Sequence, residues 1–116
     1  MTPVPEDFQL RAERVGAMGL IALRGELDIA TLPEFEEAIA TLRAERLERL
    51  VVDLRGLMFL DSMSIELLLR VHGELAAEGA QLVLVRGPRP VNRLFEVMEL
   101  DKVLDIVEEP PAGFSG

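Results

Sequence analysis

The sequence predicts an α/β fold, a mixed and mostly parallel β-sheet flanked by helices in the order β-β-α-β-α-β-α-β. Two continuous apolar runs, residues 50–54 and 81–86, are typical of strands that are covered on both faces of a sheet. The segments after these runs repeat their apolar residues every three or four positions, which is helical spacing. Strand-helix-strand units imply parallel neighbours joined by right-handed crossovers, and the length of 116 residues suits one domain.

The chain opens with a polar segment, residues 1–7, which is expected to form a flexible arm before a domain that spans residues 8–107. Residues 8–13 alternate apolar and polar side chains like a half-buried strand, and residues 20–24 form a second strand. The short connection between them contains Gly16, so the two strands are predicted to pair as an antiparallel hairpin at one edge of the sheet.

The first helix is predicted to begin at Thr31. Pro33 follows in the first turn and Glu34 stands three positions on, a pattern typical of a capping box in which two side chains bond to backbone amides at the helix start. The buried face of this helix is predicted to consist of four apolar residues at helical spacing: Phe35, Ala38, Ile39 and Leu42.

The second helix follows the central strand after a loop that contains Gly56. Asp61 and Ser62 are both able to cap this helix, because either side chain can accept a hydrogen bond from a free amide of the first turn. Phe59, in the preceding loop, is expected to point inward. The helix is predicted to end at Gly79 and to bury a stripe of residues at positions 65, 68, 69, 72 and 75.

The last elements follow a turn at residues 87–90, whose proline suits the first turn of a third helix. Apolar residues at positions 91, 94, 95 and 98 have the spacing of that helix. Residues 103–107 are predicted to form the last strand, and residues 108–116, rich in proline and glycine, a flexible tail.

The composition excludes several classes of function. The formal net charge of −9 repels the phosphates of nucleic acids, so no nucleic-acid partner is expected, and the lack of cysteine excludes disulfides and thiolate-bound metal. No apolar run reaches the ~18 residues that a membrane span requires, and the first residues lack the basic start and apolar core of a signal peptide. We therefore expect a soluble, cytoplasmic protein with no membrane partner.

Nothing in the sequence predicts an enzyme. No phosphate-binding glycine loop is present. His72 is the single histidine, and no recognisable motif sets a serine or cysteine nucleophile beside it. Asp28, Asp53 and Asp61 fall near predicted strand ends, where open sheets have their sites, but no dense ligand loop surrounds them. We expect no catalytic residue, no metal site and no cofactor.

Several motifs follow one another along the chain. The turn Gly-Glu-Leu-Asp occupies residues 25–28, the central strand and its exit occupy residues 50–57, and Asp-Ser-Met-Ser occupies residues 61–64. The predicted last helix and strand complete the series. In this order, and over nearly the whole chain, they resemble the STAS domain, the fold of the bacterial anti-sigma factor antagonists.

The resemblance implies an anti-anti-sigma factor that binds an anti-sigma factor serine kinase and thereby releases a sigma factor. In the family the third motif reads Asp-Ser-Ser/Thr-Gly/Ala, and its second hydroxyl residue is the phosphate acceptor. Met63 occupies that position here, which leaves Ser62 and Ser64 as phosphoacceptor candidates. The implied partner-binding face comprises Asp28, Asp61, Ser62, Met63 and Ser64. The family's kinase uses ATP, whereas this chain needs no cofactor.

Two interpretations of this motif remain open. Ser62 is either a phosphoacceptor beside Asp61 or only part of a helix cap, since a cap alone explains an Asp-Ser pair at a helix start. Met63 at the usual acceptor position favours an alternative function, a phosphorylation-independent STAS scaffold or ligand-sensing domain in a larger signalling assembly. If Met63 is exposed, it adds apolar contact area to the docking face.

Overall fold

A computed structural model describes residues 8–114. The predicted flexible arm, residues 1–7, lies outside this part of the chain, as do residues 115–116. The strands are β1 (Gln9–Val15), β2 (Met18–Leu27), β3 (Arg49–Leu60), β4 (Gln81–Val85) and β5 (Asp105–Val107). The helices are α1 (Leu32–Arg43), α2 (Ser62–Ala77) and α3 (Arg89–Val97), followed by a 3₁₀ turn at Leu100–Lys102. Among the helices of this part of the chain, none combines the length and the apolar character needed to cross a membrane.

The five strands form one sheet in the order β1-β2-β3-β4-β5. β1 and β2 make the predicted antiparallel hairpin, with Val15 opposite Met18 and a turn in which Gly16 has a φ of +60°. β2, β3, β4 and β5 pair in parallel, and α1, α2 and α3 connect them in turn. The predicted mixed, mostly parallel α/β architecture is confirmed.

All three helices pack on the same face of the sheet. Each crossover moves one strand further in the same direction, and right-handed crossovers of that kind leave their helices on one side. The main core lies on this side, where alternate strand residues meet the buried stripes of the helices. Its members include Ile21, Val52 and Leu84 from the sheet and Phe35, Leu68 and Phe95 from the helices.

The opposite face of the sheet, called here the helix-free face, carries a smaller apolar cluster. Its members are strand residues that point away from the helices: Leu20, Val51, Val83 and Val85. Phe114, near the end of the described chain, is partly buried against this cluster. The flexibility of residues 108–116 stays a prediction, although Phe114 contacts the sheet and Glu108 forms an ion pair with Arg86, directly after β4, at 2.7 Å.

β3 is longer than predicted. The sequence prediction ended this strand at residue 54 and read Gly56 as part of a loop, whereas β3 continues to Leu60 and stays paired with β2. Glycine is required at position 56 because a Cβ there would lie 2.7 Å from the carbonyl oxygen of Leu23. Its function is therefore the close approach of two strands rather than a turn.

The additional length of β3 creates a two-stranded extension of the sheet. β4 pairs with β3 only as far as the partners Val85 and Asp53. Beyond that point residues 24–27 and 56–60 continue as a pair, with irregular register, and we call this pair the β2–β3 extension. The extension leads directly into the turn before α1 and into the start of α2.

The last strand is shorter than predicted. The prediction spanned residues 103–107, but β5 covers only Asp105–Val107 because the preceding chain is still turning. Glu99, with a left-handed φ of +56°, leads into the 3₁₀ turn, and the apolar spacing does not reveal that conformation. Gly79 follows α2 with a φ of +76°, as expected for a glycine that ends a helix.

Candidate functional site

Asp61 caps α2. Its backbone is extended, and its Oδ1 atom accepts hydrogen bonds from the Ser64 backbone amide at 2.9 Å and from the Ser64 hydroxyl at 2.8 Å. The cap satisfies an amide of the first helical turn, which has no partner within the helix. Of the two capping residues that the sequence allowed, Asp61 is the one in use, and Ser62 is the first residue of the helix.

Ser64 is a buried polar residue that joins two elements. It is 0% exposed, and its hydroxyl lies 3.1 Å from the carbonyl oxygen of Leu27 as well as 2.8 Å from Oδ1 of Asp61. A hydroxyl carries a single hydrogen, so it donates to one of these oxygens at a time. The contact ties the start of α2 to the end of β2.

Ser62 and Met63 face solvent in the first turn of α2. Within residues 8–114 the Ser62 hydroxyl makes no hydrogen bond. Met63 is 46% exposed. Of the two serines in the motif, Ser62 is therefore open to another protein and Ser64 is enclosed.

Asp28 organises the turn between β2 and α1. Its Oδ1 atom accepts hydrogen bonds from the backbone amides of Ala30 at 3.0 Å and Thr31 at 3.3 Å. The Asp61 amide donates to the carbonyl oxygen of Leu27 at 3.3 Å, so the Asp28 turn and the Asp61 cap lie side by side at the end of the β2–β3 extension. The fold thus brings Asp28 close to residues 61–64, the motif that follows it by more than thirty residues in the sequence.

The predicted capping box at the start of α1 is wrong. The Thr31 side chain makes no bond to the helix amides; its hydroxyl donates to the carbonyl oxygen of Glu26 at 2.8 Å and accepts from the amide of Asp28 at 3.0 Å. The backbone of Thr31 explains the difference, because its φ of −104° and ψ of −15° are not the extended values of a capping residue. The Thr31 amide instead donates a hydrogen bond to the Asp28 carboxylate.

Exposed apolar side chains occur on the segments that meet at the start of α2. Four large apolar side chains are exposed near it, Ile29 by 70%, Met58 by 75%, and Phe59 and Met63 by 46% each. Ile29 belongs to the Asp28 turn, and Met58 and Phe59 belong to the last part of β3. The expectation that Phe59 points inward is wrong, because the extended β3 turns that position to solvent. We call these four residues the apolar rim.

Asp53 does not join this site. It lies on the helix-free face in the middle of β3, where Arg55 forms a two-point ion pair with it, Nη2 to Oδ2 at 2.8 Å and Nε to Oδ1 at 3.0 Å. Burial raises the pKa of the Asp53 carboxyl, but the hydrogen bonds from Arg55 outweigh burial and hold that pKa below its ordinary value. The prediction did not include this pair, although the spacing Asp-x-Arg puts both residues on one face of a strand.

The site offers another molecule a free hydroxyl at Ser62, carboxylates at Asp28 and Asp61, and the apolar rim. Among residues 8–114, no three His, Asp or Glu side chains converge as metal ligands would. His72 is half-buried on α2. The chemistry available is hydrogen bonding and apolar contact, which suits recognition of a protein surface.

Comparison with known proteins identifies the family of the domain. The family model of the STAS domain matches residues 9–110. The chain is 26% identical over 88 residues to the anti-sigma-B factor antagonist of Staphylococcus aureus strain NCTC 8325, which covers 76% of this chain and 82% of that protein. The anti-sigma-B factor antagonist of Staphylococcus epidermidis matches with the same identity and coverage.

Solved structures share the fold. An anti-sigma factor antagonist from Mycobacterium paratuberculosis superposes with a TM-score of 0.78 at 25% identity, covering 90% of this chain and 89% of that one. The anti-sigma factor antagonist SpoIIAA in its unphosphorylated form gives a TM-score of 0.75 at 23% identity, covering 87% of this chain and 90% of that one. Since the family model spans β1 to β5 and includes the start of α2, the chain belongs to the STAS domain family.

Proposed function

We propose that this protein is an anti-sigma factor antagonist that binds an anti-sigma factor serine kinase and thereby releases a sigma factor. The observation that carries the proposal is the solvent-facing start of α2, where Asp61, Ser62 and Met63 stand beside the Asp28 turn. The names of the curated relatives support the same function. The protein acts by binding, and its partner supplies the chemistry.

The apolar rim supplies most of the docking area in this proposal. Exposed methionine and aromatic side chains are typical of protein interfaces, because they bury apolar surface and adapt their shape to a partner. Met58 and Met63 are exposed on either side of Phe59 in the chain. The partner surface is therefore expected to be apolar at its centre, with hydrogen-bond donors facing Asp28 and Asp61.

We infer that Ser62, rather than Ser64, accepts a phosphate from the kinase. A kinase must reach the hydroxyl, and Ser62 is exposed, whereas Ser64 is enclosed and hydrogen-bonded inside the domain. A phosphate on Ser62 adds about −1.5 to −2 charges beside Asp61. The amides at the start of α2 offset that charge within the domain, but an apolar partner surface does not, so binding is reversed without refolding.

A second candidate function is a phosphorylation-independent scaffold or ligand-sensing domain in a signalling assembly. The exposed thioether of Met63 favours it, because this side chain stands where the resemblance expects a phosphorylated hydroxyl. In that case docking is constitutive and Ser62 remains unmodified.

The test is incubation of the protein with ATP and the anti-sigma factor kinases encoded in the same genome. Intact mass spectrometry and size-exclusion chromatography then report modification and complex formation. We expect a gain of one phosphate, lost in Ser62→Ala and retained in Thr41→Ala, which removes another hydroxyl from an exposed residue, on α1. A stable complex with no mass change supports the scaffold instead, and the absence of both phosphate and complex contradicts the proposal.

A further inference from the structure

A groove of about 500 Å³ lies between β1, the first strand of the sheet, and α1. Residues 12–14 of β1 form one wall. The other wall is formed by five residues of α1: Glu34, Glu37, Ala38, Thr41 and Leu42. We call this space the β1–α1 groove.

Two alanines explain why the groove exists. Ala12 stands opposite Ile21, a member of the main core, so its side chain points to the helix side of the sheet. Ala38 lies partly buried on α1 and packs against the same core. Neither side chain is long enough to fill the space between the strand and the helix. Together with Leu42 they give the groove an apolar floor.

The outer edge of β1 is open to another strand. Within residues 8–114, β1 pairs only with β2, through seven consecutive residue pairs without a bulge. In an antiparallel pair, every second residue has its backbone amide and carbonyl directed away from the partner. Edge strands are commonly protected by short length, proline or a bulge. β5, at the other edge, has only three residues, whereas β1 has seven and contains neither proline nor a bulge.

The groove has an acidic rim. Two charged residues of its lining already have partners of opposite charge, at 3.8 Å in each case: Glu13 with Arg11, and Arg14 with Glu45. Those charges cancel in pairs. Glu34 and Glu37 are exposed, and their side chains make no hydrogen bond or ion pair within residues 8–114. Two negative charges therefore remain beside the open edge of β1.

We propose that the β1–α1 groove binds an extended segment of a partner protein that carries lysine or arginine at alternate positions. The segment adds to β1 as a sixth strand and is held by backbone hydrogen bonds. Alternate side chains of a strand point to one face, so its basic residues lie together in the groove. Their apolar stems pack over Ala12 and Ala38, and their charges reach Glu34 and Glu37.

The proposal does not rest on the function proposed above. Its surface consists of the outer edge of β1 and one side of α1, whereas the docking face for the kinase is the start of α2 with the Asp28 turn. A single domain could in this way hold two partners at once.

The test is an amide NMR titration of the ¹⁵N-labelled full chain with a synthetic peptide, Thr-Lys-Thr-Lys-Thr-Lys-Thr, acetylated and amidated at its ends. We expect saturable shifts in β1 and at Ala38. Hydrogen exchange should slow at alternate residues of β1, because the added strand pairs with amides that were free. Spermidine is the matched control ligand: it also carries three positive charges but has no peptide backbone, so it should leave that exchange unchanged.

Variants of the protein test the acidic rim. Glu37→Gln should weaken binding of the peptide about threefold, the effect of one exposed ion pair. The matched control is Asp101→Asn, which removes a charge from an exposed carboxylate of the 3₁₀ turn and should leave the affinity unchanged. Complex formation with the kinase is measured on Glu37→Gln as well and should be unaffected, so a failure of this groove is distinguishable from a failure of the docking function.

Several outcomes would overturn the proposal. Shifts that stay linear in peptide concentration would mean that no site exists. Equal effects of spermidine and the peptide, or of Asp101→Asn and Glu37→Gln, would mean attraction by the net charge of the chain alone. Shifts of the same β1 amides with protein concentration, in the absence of peptide, would assign the edge to a second copy of this chain instead of a basic partner.

Discussion

Ser62 and Ser64 show how two identical side chains, two positions apart, acquire different functions. Residues two apart on a helix point about 200° apart around its axis, so one serine faces solvent when the other faces the core. Ser62 is exposed, and Ser64 is buried with its hydroxyl beside the carbonyl oxygen of Leu27. One hydroxyl is available to a kinase, and the other holds α2 against β2.

Ser64→Ala is expected to lower the free energy of unfolding by about 1 kcal/mol, the net value of one buried hydrogen bond. The loss stays near that value because neither acceptor is left without a hydrogen bond. The carbonyl of Leu27 still accepts one from the Asp61 amide, and the carboxylate of Asp61 still accepts one from the Ser64 amide. Urea denaturation followed by circular dichroism measures the change. Ser62→Ala is the control and should change stability by less than about 0.5 kcal/mol. Equal effects of the two substitutions would contradict this assignment.

The β2–β3 extension is the element on which the candidate site depends. Gly56 allows β2 and β3 to approach closely, and the pair then continues past the end of β4. Its two exits form the Asp28 turn and the Asp61 cap, and its exposed side chains form half of the apolar rim. A partner that binds the site therefore contacts the ends of β2 and β3 and the start of α2 at the same time.

Met63→Asp is expected to weaken the complex with the anti-sigma factor kinase by at least about tenfold, because a charge replaces apolar surface at the centre of the proposed interface. An acidic residue in the first turn of a helix is compatible with the fold. Isothermal titration calorimetry measures the affinity. The matched control is Met98→Asp, since Met98 is equally exposed, at 46%, but follows α3. Wild-type affinity in Met63→Asp would exclude the apolar rim as the docking surface.

At the scale of the whole molecule, arginines organise an acidic chain. Arg43 of α1 bridges to α2 through Glu74 at 2.6 Å and Glu78 at 2.7 Å, and Arg14 of β1 reaches the Leu42 carbonyl oxygen near the end of α1. The hydrogen bond from Arg43 lowers the pKa of Glu74. Such pairs link neighbouring elements, and they make the stability of the domain sensitive to acid.

Acid unfolding should depend on Asp53 in particular. Its pKa in the folded state lies below its ordinary value, so its stabilising contribution is complete above the unfolded-state value of about 3.9 and is lost as pH falls through the lower folded-state value. We expect the free energy of unfolding to decrease below about pH 4. Asp53→Asn should flatten that decrease by at most ~1.4 kcal/mol per pH unit, the limit for one proton.

Urea unfolding at several pH values measures this slope. The control is Glu37→Gln, which changes an exposed carboxylate without an ion pair in the described part of the chain. An unchanged slope in Asp53→Asn would show that the ion pair with Arg55 contributes nothing to acid sensitivity.

Features that depend on nearby residues were predictable from the sequence, and features that depend on distant residues were not. The order of the elements and the Asp61 cap follow from local spacing and capping chemistry. The length of β3 depends on how closely β2 approaches Gly56, and the burial of Ser64 depends on Leu27, 37 residues earlier. Thr31 bonds backwards to β2 rather than forwards into α1 for the same reason.

The β2–β3 extension has a consequence for how such proteins diversify. Its exposed apolar side chains, Met58 and Phe59, have no third layer packed over them within residues 8–114, so their replacement costs the fold little. Recognition can consequently change by substitution at a few surface positions, while the sheet and its helices stay as they are. Duplicated copies of one gene could in this way acquire separate partners and operate side by side without cross-talk.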